Sequence, residues 1–521
     1  MFRFVRSMSS QLSAIKLDDK ESQICSLLKY FCNHYNAKLK RANEPDLQLR
    51  ITGGWVRDKL LGRSSHDIDI AINTLSGESF AEKLVSYIKE SHKDQVESIL
   101  SSSIHKINKN PDKSKHLETC TTKLYGIDID FVNLRNEKYT EESRIPTIDY
   151  GTPQEDALRR DATLNALFYN LTTDQIEDFT EKGLIDLKQG ILRTPLEPSK
   201  TFIDDPLRCL RLIRFASVFG FSVSEDALQA MKQPKIKEAL NAKISRERIG
   251  VEIDKILVSK DPIRGLKILR ETNLLDAIFN FGELQEAVYE LNPNSVRERL
   301  NQAFTRSLPE SVTKISSSPE LVQQFPEDLK SICSQLDPRV LYLNLLLYPF
   351  AQLRLKFSTK PTKNTRYATE MIVRDGLKYS SKDSDTVSLI VDNYQEFQHL
   401  VQSDVGTLPR SALGMAIRKY NGQWELNLII CLLISIFESA DIHAIERYHS
   451  TYQHINNLGL AQAHSLRPLV DGKTLCKELG KKPGPWMKPL MDKMLVWQLD
   501  HPTESSASYI SRAKAILDET L

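Results

Sequence analysis

The spacing of apolar residues divides the chain into two parts with different periods. From about residue 47 to residue 194, short runs rich in β-branched residues alternate with stretches of helical periodicity, a pattern typical of a mixed α/β domain. From residue 202 onward apolar residues recur at helical spacing, so that Ile249, Ile253 and Ile256 share one stripe of a predicted helix. The pattern therefore predicts an α+β protein, with a mixed sheet first and an all-α remainder.

Several elements of the first part can be placed directly. LQLRI predicts a strand, TGG a turn, WVRDKLLG a short helix that ends at Gly62, and DIDIAI a second strand. Further on, LETCTTKLYGIDIDFVNLR predicts two strands joined around Tyr125 and Gly126.

The helical part shows breaks at Ser307–Glu320 and Phe357–Tyr367, where proline, serine and polar residues cluster, and these breaks suggest that it is itself divided. Its most apolar run, Leu428–Phe437, is half the roughly 20 residues that cross a bilayer. We therefore expect this run to form a buried core helix, and we expect a soluble protein with no membrane partner.

Composition narrows the class of protein only slightly. The chain has 521 residues, 40% of them hydrophobic, which is enough for three or more packed units. Its net charge of +2 excludes a globally basic nucleic-acid coat, so any polyanion site must be a local patch. The 7 cysteines show no CxxC pair or zinc-ligand spacing, which predicts reduced thiols.

The N-terminus has the composition of a mitochondrial presequence, for which residues 1–20 are the candidate segment. It contains arginines and several serines, with no acidic residue before Asp18. Translation from Met8 would omit both arginines of the segment. Starts at Met1 and Met8 would then supply mitochondrial, cytoplasmic and nuclear forms; a frayed tail is the alternative.

Gly53 and Gly54 precede the short predicted helix and indicate a phosphate-binding turn. Glycine lets backbone N–H groups approach an anion closely, and a helix N-terminus favours negative charge. A Gly-Gly pair on its own is more often a simple tight turn.

Asp67 and Asp69 alternate with apolar residues in DIDIAI, so both carboxylates project from one face of the predicted strand. Two carboxylates on one face can bind a divalent metal, and phosphoryl transfer with two metals normally needs a third carboxylate. The segment IDIDF offers Asp128 and Asp130, which again share a face, and alternation leaves both open.

The ordered segments GGWVRDKLLG, DIDIAI, RRDATLNALFYN, DLKQGILRTP, DDPLRCLRLIRFASVFGF and ISRERIGVEIDKIL resemble the motifs of class II tRNA nucleotidyltransferases, the CCA-adding enzymes. The resemblance covers about residues 45–260, and the amino-acid sequence of the segments is most similar to that of fungal members. It implies a polymerase-β-like nucleotidyltransferase head followed by a helical neck, body and tail. It also implies addition of C, C and A to tRNA 3′ ends from CTP and ATP, without a template and with two Mg²⁺ ions.

The resemblance assigns roles to individual residues. It places the metal carboxylates at Asp67 and Asp69 and the third catalytic carboxylate at Asp130. Nucleotide-binding roles fall to Gly53, Gly54 and Arg57 at the triphosphate, and to Arg160, Asp161 and Asn165 near the ribose and phosphates.

Asp205 and Arg208 suggest a physical basis for base choice. They lie three apart in a predicted helix and so share a face. An acceptor beside a donor matches the amino group and adjacent ring nitrogen of cytosine and adenine, whereas uracil and guanine present the opposite pattern and leave both side chains mispaired. Arg211 and Arg214 continue the spacing and would supply further nucleotide contacts.

Two further regions receive roles through the resemblance. Asn136–Asp156, with Arg144, corresponds to a flexible loop, and we hypothesise that it governs the change from C to A addition. In the tail, basic residues surround Trp486 and are expected to contact the acceptor stem and elbow of tRNA; they are Lys473, Lys481, Lys482 and Lys488.

The predicted division is a head at residues 21–200, a neck with the nucleotide-recognition helix at 201–270, a body at 271–400 and a tail at 401–521. A poly(A) polymerase of the same superfamily would share most motifs of the head and is the first alternative. An inactive RNA-binding relative is the second, and the intact set of aspartates speaks against it. DNA is not expected as a partner.

Overall fold

The computed structural model of the protein describes residues 15–65, 67–100, 105–107, 119–140, 143–360, 365–403 and 405–518. The chain forms two compact units, one from Phe4–Ala277 and the other chiefly from Ile278–Leu521. Each has its own set of buried apolar side chains.

The first unit contains a seven-stranded mixed sheet in the order β3-β4-β5-β2-β1-β8-β9. Adjacent strands of this sheet run antiparallel, except for β2 and β5, which run parallel. The strands are β1 (Leu49–Thr52), β2 (Ile68–Ile72), β3 (His105–Ile107), β4 (Thr119–Leu124), β5 (Ile127–Asn133), β6 (Arg135–Thr140), β7 (Ser143–Tyr150), β8 (Leu167–Asn170), β9 (Gln175–Asp178), β10 (Ile191–Leu192), β11 (Ser222–Val223), β12 (Arg354–Lys356) and β13 (Thr365–Tyr367).

Helices cover the sheet and form nearly all of the remaining regular structure. Those of the first unit, with the last at its end, are α1 (Asp19–His34), α2 (Gly54–Leu60), α3 (Gly77–Ser91), α4 (Val96–Ile99), α5 (Pro153–Leu158), α6 (Gly183–Gln189), α7 (Pro198–Asp204), α8 (Leu207–Phe219), α9 (Glu225–Met231), α10 (Pro234–Lys243), α11 (Arg246–Leu257), α12 (Pro262–Glu271) and α13 (Leu275–Ile278).

The second unit is built from further helices: α14 (Gln285–Leu291), α15 (Asn294–Gln302), α16 (Leu308–Ile315), α17 (Ser318–Gln323), α18 (Glu327–Gln335), α19 (Pro338–Leu347), α20 (Ala368–Met371), α21 (Ser381–Val391), α22 (Tyr394–Gln402), α23 (Arg410–Lys419), α24 (Trp424–Ser439), α25 (Ala444–Asn457), α26 (Gly472–Glu478), α27 (Met487–Asp500) and α28 (Ser506–Asp518). Short 3-10 or π-helical turns connect or extend several helices of both units.

The core of the first unit is aromatic where α1 and α3 pack on the sheet. Phe31 of α1 meets Phe80 of α3 edge-on at 5.3 Å between ring centroids, and Phe80 meets Phe131 of β5 at 4.8 Å. All three rings are fully buried. Burial of each such side chain contributes about 1.5–3 kcal/mol, so this stack holds both helices against β5, the strand that carries Asp130.

The predicted hairpin around Tyr125 is confirmed. β4 and β5 pair antiparallel with Leu124 opposite Ile127, leaving a two-residue turn. Tyr125 and Gly126 have φ of 48° and 81°, and a tight hairpin of this kind requires positive φ at both central residues. The turn sets the register of β5 and thereby the position of its acidic residues.

The predicted fold class is confirmed as a mixed-sheet head followed by a mostly helical remainder. The remainder is not all-α, because β11 pairs with β10 and β12 pairs with β13. The break predicted at Ser307–Glu320 was wrong: α16 and α17 occupy most of it, and the apolar side chains of α16 are buried. Proline falls in the first turn of both helices, where it is tolerated.

The prediction of a loop at Asn136–Asp156 was also wrong. Most of this segment forms the antiparallel hairpin β6–β7, and α5 begins at Pro153. The hairpin has few aliphatic side chains, and Ile145 and Ile148 lie three apart, so no alternation of apolar residues marks it as a pair of strands. The segment belongs to a regular element that extends β5 beyond Leu134.

All 7 cysteines are buried and unpaired, as the sequence predicted. Burial raises the pKa of Cys25, Cys32 and Cys333 to about 12. The thiolate is the reactive form of cysteine, so these thiols are inert in the folded protein.

The apolar run Leu428–Phe437 lies in α24, where most side chains are buried, so the predicted core helix is confirmed. Within the described parts of the chain, no single helix is long and apolar enough to cross a membrane. The pair α23 and α24, bent by 94°, meets that test on length and composition alone.

Candidate active site

Three carboxylates meet at the centre of the mixed sheet. Asp67 immediately precedes β2, Asp69 lies within it, and Asp130 lies directly opposite Asp69 on the parallel strand β5. One oxygen from each of the three carboxylates lies within 4.8 Å of the others. Asp128 is outside this group: its side chain is 70% exposed and pairs with Lys123 at 3.5 Å. The geometry thus brings together the set that the resemblance implied.

Burial and crowding change the acidity of Asp69. Burial, followed by the charges of Asp67 and Asp130, raises the pKa of Asp69 to about 6. Thr121 donates a hydrogen bond of 2.5 Å to Oδ1 of Asp130. Clustered carboxylate oxygens are the ligands that Mg²⁺ prefers in proteins, so the donor set fits a divalent cation.

The Gly-Gly turn lies beside this cluster. Gly53 has a φ of +76°, which disfavours any other residue, and a Cβ there would lie 3.5 Å from Nη1 of Arg160 and 3.6 Å from Oδ2 of Asp69. A Cβ on Gly54 would lie 3.1 Å from Nη2 of Arg57. The turn therefore brings backbone, carboxylate and guanidinium groups within reach of one ligand.

Arg57 is buried and held from several sides. Its guanidinium donates to both carboxylate oxygens of Asp58, at 2.9 and 2.8 Å, and to Oδ1 of Asn165. It also lies over the rings of Phe215 and Phe219, at 5.6 and 4.6 Å from their centroids. These contacts fix a positive charge immediately after the glycine turn.

Arg160 is tied to both the sheet and α5. It donates to Oδ2 of Asp156 at 2.7 Å, to Oγ1 of Thr52 at 2.6 Å and to the carbonyl of Asn165 at 3.1 Å. Burial opposes ionisation of Asp156, but Arg160 and Arg159 outweigh it and lower the pKa of Asp156 to about 2. Asp156 is therefore a permanent anion that orders both arginines.

Asp161, the residue after Arg160, is a second buried carboxylate that orders an arginine. It accepts hydrogen bonds from Arg211 at 2.6 Å and from Asn165 at 2.9 Å. Although burial opposes ionisation, these partners hold the pKa of Asp161 well below its usual range. Arg214 forms an ion pair with Glu252 of α11 at 2.9 Å. The network joins α8 to the head and to α11.

The prediction that Asp205 and Arg208 share one helix was wrong. α7 ends at Asp204, Asp205 is extended with φ of −137°, and α8 begins after Pro206. Proline disfavours helical conformation in the residue before it, so the helix breaks at Asp205. The two residues nevertheless line the same cavity, because Asp205 directly precedes the first turn of α8.

All the predicted head residues line a single cavity of about 680 Å³, except Arg144. Arg144 lies on β7, and its side chain is outside the described part of the structure. The cavity residues brought together are Gly53, Gly54, Arg57, Asp67, Asp69, Asp130, Arg160, Asp161, Asn165, Asp205, Arg208, Arg211 and Arg214.

Other polar residues of the cavity were missed from the sequence: Thr52, Asn133, Arg135, Glu137, Asp156, Arg159 and Arg248. Arg159 adjoins Arg160 in the RRD segment and Arg248 lies in ISRERIG, so their place in the motifs was a usable signal. Glu137 carried no such signal, because it lies in the segment predicted as a loop.

The predicted tRNA-binding lysines lie in the second unit. Lys473 is on α26, Lys481 and Lys482 follow it, and Lys488 is on α27; three of the four are exposed and Lys481 is half-buried. Trp486 donates a hydrogen bond of 3.0 Å to the carbonyl of Lys482. Trp486 also packs against a small core cluster of the second unit.

Trp497 also packs against this core, edge-on to Tyr509 at 6.0 Å between ring centroids. Trp497 is therefore a packing residue of this core.

A mixed sheet that carries three clustered carboxylates, a Gly-Gly turn and a cavity lined by eight arginines defines a nucleotidyltransferase head. Comparison with known families agrees with that class. Residues 49–193 match the family described as the poly A polymerase head domain. Residues 220–285 match the family described as the probable RNA and SrmB-binding site of polymerase A.

Full-length relatives specify the family further. The chain is 43% identical over 539 residues to the mitochondrial CCA tRNA nucleotidyltransferase of Candida glabrata, covering 100% of both chains. It is 42% identical to the Saccharomyces cerevisiae enzyme of the same name, covering 97% of this chain and 95% of that one. The chain therefore belongs to the CCA tRNA nucleotidyltransferase family and is an enzyme.

A solved structure supports the fold. A CCA-adding enzyme in an apo form superposes with a TM-score of 0.62, covering 96% of each chain at 21% identity.

Proposed function

We propose that the protein adds C, C and A to the 3′ end of tRNA from CTP and ATP, without a nucleic-acid template and with release of pyrophosphate. The observation that carries this proposal is one cavity that contains both the three carboxylates and the Asp205–Arg208 pair. The names of the full-length relatives support the same substrate.

Asp67 and Asp69, with Asp130 opposite, would hold Mg²⁺. Two such ions supply activation of the tRNA 3′ hydroxyl and stabilisation of the leaving pyrophosphate. The contribution of the chain is to fix three anionic groups on adjacent strands, where Thr121 and the backbone register hold Asp130 in place.

The triphosphate is bound by groups on both sides of the glycine turn. Gly53 and Gly54 leave the backbone open to a phosphate oxygen, and Arg57 and Arg160 supply fixed positive charge. Because the partners of both arginines are already in place, little reorganisation is needed when the substrate binds.

Base choice is assigned to Asp205 and Arg208. The carboxylate accepts from the exocyclic amino group of cytosine or adenine, and the guanidinium donates to the adjacent ring nitrogen. Uracil and guanine would instead place a carbonyl oxygen against the carboxylate of Asp205 and an N–H group against the guanidinium of Arg208. Leaving two such groups mispaired costs far more than an apolar mismatch.

The change from C to A addition is assigned to the β6–β7 hairpin. Replacing Arg144 with Ala is expected to spare both C additions and to impair A addition, because cytosine and adenine satisfy the same pairing groups. Single-nucleotide gels of stepwise reactions measure this. Equal loss of C and A addition would contradict the assignment.

The lysines of the second unit are assigned to the tRNA backbone. Exposed lysines carry a positive charge that attracts the phosphates of tRNA, and such contacts supply most non-specific binding to nucleic acid.

For localisation, we propose the mitochondrion, which the names of the relatives support. Cytoplasmic and nuclear forms from Met8 are proposed alongside it.

The decisive experiment incubates the purified protein with Mg²⁺ and a tRNA transcript that lacks its last three nucleotides, together with single nucleotides or mixtures. Two additions with CTP alone, and arrest after three with CTP and ATP, are the expected result. A long ladder with ATP alone would instead indicate a poly(A) polymerase. No extension would indicate an inactive RNA-binding protein.

A further inference from the structure

Glu137 is a buried carboxylate that bridges two arginines of the cavity. It lies on β6, and its side chain is only 7% exposed. Its Oε1 lies 2.7 Å from Nη1 of Arg159, and its Oε2 lies 3.7 Å from Nη2 of Arg208. One glutamate of the hairpin thus contacts the side chain to which base recognition is assigned.

The contact with Arg159 anchors Glu137 to the body of the head. Arg159 also donates to Oδ1 of Asp156 at 2.6 and 2.9 Å, and Asp156 binds Arg160 through its other oxygen at 2.7 Å. A continuous series of ion pairs therefore runs from Glu137 to the arginine beside the glycine turn. Arg159 keeps its two hydrogen bonds to Asp156 when Glu137 is replaced, so the position of Arg159 does not depend on Glu137.

The geometry points to Glu137 as a positioning residue for nucleotide specificity, which acts by holding the guanidinium of Arg208 in the orientation that reads the base. This inference rests on the proposed function and deepens it. It assigns the selection of cytosine and adenine to three residues, Glu137, Asp205 and Arg208, rather than to a pair.

The physical reason lies in the shape of arginine. Its guanidinium is planar and offers N–H donors in fixed directions, so a rotation of the group misdirects all of them together. A carboxylate beside Nη2 restricts that rotation and holds the plane of the guanidinium in one orientation. The side chain of Arg208 is 10% exposed, so few alternative partners from solvent compete with Glu137.

The test replaces Glu137 with Gln, which keeps the size of the side chain and removes its charge. Steady-state kinetics give kcat/KM for each nucleotide. CTP and UTP are compared on tRNA that is ready to receive C, and ATP and GTP are compared on tRNA that is ready to receive A. We expect the preference for CTP over UTP, and for ATP over GTP, to fall by about ten- to a hundredfold, as when a buried guanidinium loses a charged partner. KM for tRNA is expected to stay within about twofold, because Glu137 touches no group assigned to tRNA.

Glu177→Gln is the matched control. Glu177 pairs with Arg50 at 2.6 Å within the seven-stranded sheet, and neither residue lines the cavity. Loss of this pair is expected to lower the unfolding temperature while leaving the nucleotide preferences unchanged. Glu137→Asp, which keeps the charge, is expected to recover part of the discrimination.

The outcomes separate two failures. If the wild-type protein does not complete CCA, the proposed function fails whatever the variants do. If the wild type completes CCA but Glu137→Gln slows all four nucleotides by one common factor, or changes none, Glu137 has no role in specificity and the inference is overturned.

Discussion

Asp69 illustrates how a catalytic side chain lowers the stability of the fold that holds it. Its pKa of about 6 lies above the ordinary value, because burial and two neighbouring carboxylates disfavour its charge. A carboxyl whose pKa is raised by folding contributes most below its unfolded pKa of about 3.9. That contribution is lost as the pH rises through the folded pKa, so at neutral pH ionised Asp69 destabilises the metal-free protein.

Asp69→Asn is therefore predicted to abolish both C and A addition and to stabilise the metal-free protein at pH 7. The gain is expected to be on the order of 1–3 kcal/mol in the free energy of unfolding and to vanish near pH 4. Urea unfolding with a chelator present measures it. Asp128→Asn, which alters an exposed aspartate on the neighbouring strand β5, is the control and should change neither quantity.

At this scale the sequence determined which residue types form the site but not every position. Alternation left Asp128 and Asp130 open, because both share one face of β5. The parallel pairing of β5 with β2, which sets Asp130 opposite Asp69, cannot be read from that spacing. Asp205 was assigned to a helix because its spacing to Arg208 fits one. The constraint from Pro206 on the preceding residue was the stronger local effect.

Among the elements, α1 has an unexpected relation to the nucleotide site. Glu21 is 2% exposed and accepts a hydrogen bond from Trp55 Nε1 at 3.0 Å and one from Lys59 Nζ at 2.5 Å. Trp55 and Lys59 lie on α2, the helix that follows Gly53. Glu21 also closes a capping box with Asp18 at the start of α1. The first helix thus fixes the helix that carries Arg57.

We predict that Glu21→Gln raises KM for CTP and ATP and lowers the free energy of unfolding by roughly 1–3 kcal/mol, because Lys59 is left without its buried carboxylate. Nucleotide titrations and urea unfolding measure the two effects. Asp19→Asn, an exposed acid in the same helical turn, should leave both at wild-type values. An unchanged KM in Glu21→Gln would show that α1 does not act on the nucleotide site.

The same contacts limit where a presequence can end. The segment predicted at residues 1–20 overlaps the start of α1 at Asp19 and its capping residue Asp18. Cleavage after residue 20 would remove the cap and leave the helix start unsatisfied, which costs about 1 kcal/mol. Import processing is therefore expected before Asp18, and N-terminal sequencing of the mitochondrial protein tests this.

Elements with an apolar face were predictable, and elements without one were not. The strand DIDIAI and the core helix α24 were recognised because burial imposes a period on their apolar residues. In the β6–β7 hairpin the aliphatic residues Ile145 and Ile148 lie three apart and do not alternate, so no strand period marks it and only its backbone pairing reveals it. Glu137, one of the cavity residues missed from the sequence, lies on this hairpin and was missed for that reason.

For the whole molecule, recognition of tRNA is predicted to separate from recognition of the nucleotide. Replacing Lys473, Lys481, Lys482 and Lys488 with Gln should raise KM for tRNA and leave KM for CTP unchanged. The slope of log KM for tRNA against log salt should fall by about 1 for each tRNA phosphate that a lysine no longer neutralises. Lys330→Gln with Lys419→Gln, two lysines of the same unit that pair with Glu327 and Glu396, should leave the slope unchanged.

The seven buried thiols provide an internal record of how the molecule comes apart. Cys25, Cys32, Cys120 and Cys209 lie in the first unit, and Cys333, Cys431 and Cys476 lie in the second. An alkylating reagent reaches a buried thiol only when its surroundings open. Pulse labelling during mild denaturation, read by peptide mass, would therefore report the order in which the two units unfold, with no tryptophan, dye or tag added to the protein.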